Sequence, residues 1–203
     1  MKALYVTDRA AAGEPRLKAV LAALAGAGDL FVQLREKSTA DREALLLARQ
    51  CRGWLGSAVP LYVNRRFDIA LAAGADGVHL PADGLPPARV RANTPRGFRI
   101  GVSTHSAAEA RAAIAGGADL VLIGPIFETP SKTAYGPPLS PGVLAELPPA
   151  TEHGCDVLVI GGVEEDNISL LAPYRDRIAG VAGIRLFQEA ADPRGVAERI
   201  RSR

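Results

Sequence analysis

The stretch Val32-Gln33-Leu34-Arg35-Glu36-Lys37 decides the fold class, because an apolar strand pattern runs directly into a cluster of polar and cationic residues. In parallel α/β proteins, the carboxyl ends of the strands face the ligand crevice. Strand alternation predicts that Gln33, Arg35 and Lys37 share one face, with the intervening residues on the other. Three donors on one face indicate an anionic ligand, and a phosphorylated one in particular. A solvated strand end that binds nothing is the alternative.

Short apolar runs rich in Val, Ile and Leu recur along the chain, and stretches of helical period such as Ala40–Leu55 and Ser106–Ala115 lie between most of them. Eight strands that alternate with helices in 203 residues predict one (β/α)8 barrel domain over residues 1–203. A doubly wound open sheet is the rival, but no Gly-x-Gly-x-x-Gly turn follows the first strand. The predicted strands are Ala3–Thr7, Leu30–Leu34, Pro60–Asn64, Gly77–Leu80, Arg99–Ser103, Leu120–Ile126, Asp156–Gly161 and Gly180–Leu186.

A weak internal repeat supports the barrel. Gly26-Ala27-Gly28-Asp29, Gly74-Ala75-Asp76 and Gly117-Ala118-Asp119 each lie between a predicted helix and the next strand. Glycine ends a helix in a left-handed cap, and aspartate turns the chain into the strand. The repeats belong to the amino-terminal face of the strands, which we expect to serve stability and not chemistry.

The composition limits the partners. Hydrophobic residues make up 48% of the chain and the net charge of +2 comes from scattered arginines, so nucleic-acid binding has little support. No segment reaches the roughly 18 apolar residues of a membrane span, and the apolar amino-terminal run is too short for a signal peptide. Cys51 and Cys155 have neither metal nor disulfide spacing. We therefore expect a cytoplasmic protein with no membrane or nucleic-acid partner; homo-oligomer formation is left open.

Polar residues follow almost every predicted strand, whereas the strand bodies are apolar. This contrast predicts a ligand site where the carboxyl ends of the barrel strands meet. The strand-end residues are Thr7-Asp8, Gln33, Arg35, Lys37, Asn64-Arg65-Arg66, His79, Ser103-Thr104-His105, Thr129-Pro130-Ser131-Lys132, Gly161-Gly162 and Ile184-Arg185.

Two features indicate phosphate. Gly161 and Gly162 end the seventh strand, where small residues let backbone N–H groups approach an anion, and Arg185 follows the eighth. A simple tight turn is the alternative for the glycines. Lys132 lies in the long loop Thr129–Pro138, and it either closes over a phosphate or is an ordinary surface lysine.

Two of the three histidines are candidates for acid–base chemistry. His79 and His105 end the fourth and fifth strands, which are neighbours in a barrel. His105 also precedes Ser106, a plausible helix N-cap with Glu109 three residues later, so a purely structural role is the alternative. His153 is expected at the surface. No group of residues has metal-ligand spacing, so no metal ligand is assigned.

These segments, in order, resemble those of the thiamin phosphate synthase and TenI family of (β/α)8 barrels, and the resemblance covers nearly the whole chain. Six matching segments are specific together, although each alone is weak. They are Val32–Lys37, Val63-Asn64, Gly74–Leu80, Gly101–Ser106, Ile123–Lys132 and Ile160–Val163.

The synthase branch joins a hydroxymethylpyrimidine diphosphate to a thiazole phosphate and releases pyrophosphate in the presence of Mg²⁺. The resemblance assigns one set of residues to the pyrimidine and its diphosphate and a second set to the thiazole phosphate. The first set is Gln33, Arg35, Lys37, Asn64, Ser103 and Lys132; the second is Thr129, Ser131, Gly162, Ile184 and Arg185. Mg²⁺ is expected only for this branch.

Two departures from the synthase pattern shift the prediction. Arg65 stands where the pattern has a Mg²⁺-binding aspartate, and Gly84 stands where it has a second acidic ligand, with Asp83 one residue earlier. Mg²⁺ needs carboxylate ligands, and Arg65 would repel it. The cations at the ends of the second and third strands, Arg65 among them, are therefore expected to hold a phosphate or carboxylate without metal.

We accordingly predict a TenI-like thiazole tautomerase, an isomerase that aromatises a phosphorylated thiazole by a proton shift without a cofactor. The tautomerase pattern has a histidine where this chain has Pro125, so His79 or His105 is expected to supply the base, with Lys132 as a further catalytic candidate. Three alternatives remain: a thiamin phosphate synthase that also binds the pyrimidine diphosphate, a catalytically inactive binding or regulatory paralogue, and another phosphate-binding barrel isomerase.

Overall fold

The computed structural model describes residues 1–36, 39–129 and 137–203. Eight strands follow one another in a closed parallel barrel in the order β1 to β8, and this confirms the predicted (β/α)8 fold class. The strands are β1 (Lys2–Val6), β2 (Leu30–Leu34), β3 (Leu61–Asn64), β4 (Gly77–Leu80), β5 (Arg99–Thr104), β6 (Leu120–Ile123), β7 (Asp156–Ile160) and β8 (Gly180–Gly183).

The α-helices of the described residues are α1 (Arg9–Ala12), α2 (Glu14–Leu24), α3 (Asp41–Leu55), α4 (Phe67–Ala72), α5 (Pro87–Arg91), α6 (Ala107–Ala115), α7 (Arg185–Gln188) and α8 (Pro193–Arg201). The described connections around β7 instead carry the 3-10 helices Pro141–Glu146, Ala150–Glu152 and Ile168–Tyr174. Prolines begin the first of these segments, precede the second and lie inside the third. Because proline lacks a backbone N–H, a long α-helical ladder is disfavoured there. None of these helices combines the length and the apolar character that a membrane span needs.

The chain falls into two compact units, residues 1–79 with 184–203, and residues 80–183. The first unit contains β1, β2, β3 and most of β4, and the second contains β5 to β8. Parallel pairing within the units places Ala3 opposite Leu30, Val32 opposite Leu61, Tyr62 opposite Gly77, Gly101 opposite Leu120, Leu120 opposite Asp156 and Leu158 opposite Gly180. That residues 1–203 form a single domain stays a prediction.

Two strands, β6 and β8, end three residues earlier than their apolar patterns predict. β6 stops at Ile123, because Gly124 and Pro125 follow and proline cannot donate to a strand ladder. β8 stops at Gly183, and Arg185 begins α7, so that this arginine lies on a helix and not on the strand. Apolar character alone does not distinguish the end of a buried strand from the start of a buried helix.

Each unit buries its own apolar core. In the first unit Tyr5, Tyr62 and Phe187 are fully buried, and the ring centroids of Tyr5 and Phe187 lie 5.8 Å apart. In the second unit Ile100 and Leu120 are fully buried. Strands β2 and β6 are buried along their whole length, as expected for parallel strands that are covered on both faces.

The repeated aspartates do more than turn the chain. Asp76, directly before β4, accepts a hydrogen bond from the backbone N–H of Leu61 at 2.7 Å. The same carboxylate forms an ion pair with Arg52 of α3, the helix that precedes β3. One carboxylate therefore joins the start of a strand to the helix before it, and we call this arrangement an Arg–Asp clasp.

The second unit repeats the clasp. Asp119, before β6, accepts a hydrogen bond from the N–H of Ile100 at 2.7 Å and pairs with Arg91 of α5 at 2.5 Å. Asp29, before β2, pairs with Arg201 of α8 at 3.0 Å within the first unit. All three sequence repeats thus place an aspartate against an arginine of a helix, and the stabilising role expected at the amino-terminal ends of the strands stays a prediction.

Replacing Asp119 by Ala should lower the free energy of unfolding by about 1–3 kcal/mol, because the buried N–H of Ile100 loses its acceptor. The half-exposed ion pair itself contributes at most about 1 kcal/mol. Asp119→Asn, which keeps an oxygen acceptor, should lose less. Urea unfolding of these variants beside Asp166→Ala, an exposed control, measures the effect. Equal stability of Asp119→Ala and Asp166→Ala would refute the clasp.

The core of the first unit also contains an ionisable side chain. His79 of β4 is fully buried, and burial lowers its pKa to about 3, because a charged imidazolium loses its hydration there. The imidazole is therefore neutral in the folded protein at neutral pH. In the unfolded chain the pKa returns to about 6.5, so that unfolding takes up a proton at mildly acidic pH.

We expect the stability of the protein to fall as the pH drops from about 6.5 towards 3, by at most about 1.4 kcal/mol per pH unit from His79 alone. His79→Gln removes this proton uptake and should show a flatter pH dependence. Urea unfolding at about pH 7, 6 and 5 compares the two proteins, in which the carboxylates titrate alike. Parallel stability curves would show that His79 does not titrate on unfolding.

Candidate functional site

A buried amide pair connects the ends of β2 and β3. The Gln33 side chain is only 3% exposed, and its Nε2 donates a hydrogen bond to Asn64 Oδ1 at 3.1 Å. Gln33 Oε1 is buried and accepts no hydrogen bond from the described residues. A buried acceptor without a donor is unfavourable, so this oxygen needs a partner that the described residues do not supply.

The backbone after Asn64 is strained. Arg65 has a φ of +66°, the left-handed region that costs a non-glycine residue about 1 kcal/mol or more. Two hydrogen bonds hold this turn: Arg65 N–H donates to His79 O at 2.8 Å, and Arg66 N–H donates to Asn64 O at 2.8 Å. The Arg65 side chain is exposed. The end of β3 therefore presents a cation at a backbone position that two neighbours fix.

The end of β1 fixes the end of β2. Thr7 is fully buried; its N–H donates to Gln33 O and its Oγ1 accepts from Arg35 N–H, both at 3.0 Å. Beyond Leu34 the strand alternation stops, and Arg35 and Glu36 both line an open cleft of about 630 Å³ with Asp8, Arg9, Ala10, Gly13, Glu14 and Thr39. The prediction that alternation continues to Lys37 is therefore wrong at Glu36, because this residue lies in a loop.

Glu36 is the cleft carboxylate that a described cation neutralises. Glu36 accepts hydrogen bonds from Arg9 at 2.9 Å and from Thr39 at 3.0 Å. Arg9 also pairs with Glu43 at 2.9 Å, and hydrogen bonds from both carboxylates raise the pKa of its guanidinium. Asp8 caps α1 by accepting from Ala11 N–H at 3.2 Å.

The acidic residues near the end of β3 are neutralised in the same way. Arg66 pairs with Asp68 at 2.6 Å and with Asp41 of α3. The hydrogen bond from Arg66 lowers the pKa of Asp68, and both carboxylates raise that of Arg66. Asp41 and Asp68 are thus bound to a cation of the chain itself.

Two arginines of the first unit differ from Arg9 and Arg66. Arg35 and Arg185 form no ion pair with any described residue. Because a guanidinium stays charged at every physiological pH, these side chains are available to an anionic ligand. Within residues 1–36, 39–129 and 137–203, no three His, Cys, Asp or Glu side chains are grouped to hold a metal ion. Whether the protein uses a metal stays a prediction.

A short helix carries the predicted residues after β8. Ile184 is the N-cap of α7 and Arg185 is its exposed first residue. At the other end of the helix the buried Gln188 Oε1 accepts hydrogen bonds from Tyr5 Oη and from Asp8 N–H, both at 3.1 Å. Sequence reasoning missed Gln188, because its partner Tyr5 lies 183 residues away along the chain.

In the second unit the end of β5 orients a histidine. His105 Nδ1 lies 2.7 Å from Gly124 O. A carbonyl oxygen only accepts, so Nδ1 carries the proton and Nε2 is the basic nitrogen. The predicted N-cap is confirmed: Ser106 Oγ accepts from Glu109 N–H at 3.1 Å, and Glu109 Oε2 accepts from His105 N–H at 2.8 Å. His105 therefore takes part in the cap at the start of α6 and also has a fixed tautomer.

The glycines after β7 accommodate the chain after β6. Both have left-handed φ angles, +95° for Gly161 and +64° for Gly162. A Cβ on Gly162 would lie 2.3 Å from Glu128 O, and one on Gly161 would lie 2.5 Å from Pro125 Cα. Phe127 N–H donates to Gly161 O at 3.0 Å. Close packing within the unit thus explains both glycines, and their contact with a phosphate stays a prediction.

Asn167 holds the turn that begins at Gly162. Its Nδ2 donates to Gly162 O at 2.8 Å, and its Oδ1 accepts from Glu164 N–H at 3.0 Å. Sequence reasoning missed this residue, although an asparagine shortly after a glycine pair is a typical turn signal. Ser103 and Thr129 are both partly buried at the ends of their segments. Among the predicted site residues, Lys37, Ser131 and Lys132 lie outside the described residues.

Comparison with known proteins identifies the family. A family model described as thiamine monophosphate synthase matches residues 3–187. A Geobacter sulfurreducens protein that carries the provisional name thiamine-phosphate synthase is 44% identical over 191 residues, 93% of this chain and 86% of the relative. The thiamine-phosphate synthase of Methanoculleus marisnigri is 39% identical over 184 residues, 89% of this chain and 86% of the relative.

Solved structures agree on the fold. The thiamine phosphate pyrophosphorylase of Pyrococcus furiosus superposes with a TM-score of 0.79 at 28% identity, and the match covers 99% of this chain and 94% of that one. The match of the family model and the identity to these relatives both extend over most of the chain. The chain therefore belongs to the thiamine monophosphate synthase family of thiamin biosynthesis.

Proposed function

We propose that the protein is a thiamine-phosphate synthase, a transferase that joins a hydroxymethylpyrimidine diphosphate to a thiazole phosphate. The observation that carries this proposal is the similarity along most of the chain to relatives named for that activity. The tautomerase that the sequence departures favoured receives less support from these relatives. It is retained below as a second candidate.

The transfer exchanges one bond for another. The C–O bond between the pyrimidine methylene and the diphosphate breaks, and its electron pair leaves with pyrophosphate. The lone pair of the thiazole nitrogen forms the new C–N bond, so the nitrogen becomes positively charged and no proton is released. Negative charge grows on the diphosphate as the bond breaks, and cations placed there lower the barrier.

The first unit provides groups suited to the pyrimidine side of this reaction. Gln33 offers a buried Oε1 that accepts from no described residue, and Asn64 holds its amide in one orientation. An N–H donor of a pyrimidine would satisfy this oxygen. Arg35 and Arg185 offer charges that no described carboxylate neutralises. Guanidinium groups match phosphate oxygens in a bidentate geometry.

A second candidate is the thiazole tautomerase. The observation that favours it is the fixed tautomer of His105, whose Nδ1 donates to Gly124 O and whose Nε2 is therefore available as a base. In this reaction a base removes a proton from one ring carbon of a thiazole phosphate and the proton returns elsewhere on the molecule, so the ring becomes aromatic without a net change in atoms.

The synthase proposal predicts that the protein releases pyrophosphate and forms thiamine phosphate when both substrates are supplied. Arg35→Gln should lower kcat/KM by about tenfold or more, since one charge-assisted hydrogen bond to the diphosphate is lost. Arg96→Gln, an exposed charge before β5, is the matched control and should leave the rate unchanged. Coupled pyrophosphate release and chromatography of the product measure both. The proposal would be refuted if no product formed in buffer with Mg²⁺ and none formed in buffer without it.

The assay for the tautomerase uses the thiazole carboxylate phosphate as substrate and follows the ultraviolet absorbance of the aromatic product. If the protein is a tautomerase, His105→Gln should reduce isomerisation by about a hundredfold or more, as expected for loss of a general base. His153→Gln is the control, since His153 lies in another connection of the same unit. An unchanged rate in His105→Gln removes His105 as the base, and no isomerisation by the unaltered protein refutes this candidate.

A further inference from the structure

We infer that Gln188 is a positioning residue: its side-chain oxygen holds the short helix α7 against the end of β1 and thereby fixes where Arg185 presents its charge to a phosphate-bearing substrate. The inference rests on the proposed function for the identity of the anion, the diphosphate of the pyrimidine. Its physical basis is the set of hydrogen bonds around α7, all of which lie within the first unit.

The position of a helix as short as α7 depends on its tertiary contacts. It contains four residues, Arg185–Gln188, whereas isolated helices shorter than roughly 12–15 residues are at best marginally stable in water. Gln188, the last of the four, contacts the chain just after β1 through Asp8 N–H. Because a helix rises about 1.5 Å per residue, the backbone of Arg185 lies only about 5 Å along the axis from Gln188. The place of Arg185 therefore depends on how the other end of the helix is held.

The side chain of Gln188 supplies this hold. Gln188 is only 7% exposed, and its Oε1 accepts hydrogen bonds from Tyr5 Oη and from Asp8 N–H, both at 3.1 Å. A backbone N–H can only donate, so the amide oxygen and not the amide nitrogen faces Asp8. Burial raises the pKa of the Tyr5 hydroxyl, which therefore keeps its proton and donates as well. One oxygen thus joins α7 to two points at the carboxyl end of β1.

The carboxyl end of α7 is also held by α2. Arg16 donates from Nε to Gln188 O at 2.7 Å and from Nη2 to Ala190 O. The last carbonyl groups of a helix have no partner within it, and Arg16 satisfies them here. The buried ring of Phe187 lies 5.8 Å from that of Tyr5, centroid to centroid. The contacts that orient α7 are thus concentrated around Gln188, about one helical turn from Arg185.

Arg185 is the group through which this position affects binding. Its side chain is exposed and forms no ion pair with any described residue, so its guanidinium can receive phosphate oxygens. Asp8 and Glu14 line the open cleft beside β1, and no described cation pairs with either carboxylate. An anion near the end of β1 therefore meets negative charge, which a guanidinium in a fixed place offsets. A displacement of about 1 Å at a binding site can lower a rate by about a hundredfold.

Calorimetric titration with inorganic pyrophosphate in buffer that contains Mg²⁺ tests the inference without turnover. Gln188→Met, which is similar in length but lacks the acceptor, should weaken binding by about fivefold or more, because Arg185 loses its fixed place. Arg185→Gln should weaken binding by about tenfold. Gln188→Met added to Arg185→Gln should change the Kd by less than about twofold, because a residue that acts through Arg185 has no effect once that guanidinium is gone.

Asp76→Ala is the matched control for stability, because it also leaves a buried backbone N–H, that of Leu61, without its acceptor. It should unfold at a lower temperature, as Gln188→Met should, and yet bind pyrophosphate within about twofold of the unaltered protein. If Gln188→Met does not fold, Tyr5→Phe takes its place, since it removes one of the two hydrogen bonds and keeps the buried ring. This variant should weaken binding by about threefold, and only while Arg185 is present.

Full affinity in Gln188→Met, or in Tyr5→Phe where that variant replaces it, overturns the inference. So does an equal loss with and without Arg185, a similar loss in Asp76→Ala, or no binding of pyrophosphate by the unaltered protein. The synthase assay is read separately. If no thiamine phosphate forms but the effect of Gln188→Met depends on Arg185, the proposed function fails and the inference stands; if the product forms and this dependence is absent, the inference alone fails.

Discussion

A parallel strand that is covered on both faces can hold polar side chains at low cost only near its ends, and this constraint organises the whole chain. Thr7, Gln33, His79 and Thr104 are buried polar residues, and each lies at or within two residues of a strand terminus. A polar group that is buried there lowers the stability of the fold unless it has a hydrogen-bond partner. Thr7 meets this need through the backbone of β2, and Gln33 meets it in part through Asn64.

The constraint also explains how far sequence reasoning reaches. The apolar runs predict β2 and β4 with their observed bounds, because burial on both faces and β-branched residues leave a strong local pattern. The same reasoning extends β8 through Leu186, since the apolar pattern does not show that Ile184 caps a helix. Gln33 and Asn64 could be predicted as candidate site residues, because each lies at or next to the end of an apolar run. Gln188 was not, since its hydrogen bonds join distant parts of the chain.

The two ends of the strands use arginine in different ways. At the amino-terminal ends each of these aspartates pairs with one guanidinium. In the clasps of Asp76 and Asp119 the carboxylate also accepts a hydrogen bond from a backbone N–H. At the carboxyl ends of the strands in the first unit, Arg9 and Arg66 likewise form ion pairs with acidic neighbours. Arg35 is an exception, with no described carboxylate against it. The arginines of the amino-terminal repeats therefore differ from Arg35 in that a described carboxylate neutralises each of them, and the sequence alone does not reveal this difference.

The end of β3 shows why a single residue can alter the chemistry of such a site. Asn64 and His79 fix the backbone on both sides of position 65, so the side chain at that position can change without disturbing the strand. A carboxylate there would add a negative charge to the end of β3, whereas Arg65 adds a positive one, and this difference of two unit charges acts over a few ångströms. The strain at Arg65 is tolerated because two hydrogen bonds over-determine the turn. Main-chain hydrogen bonds, and not the side chain at position 65, therefore fix the backbone of this turn.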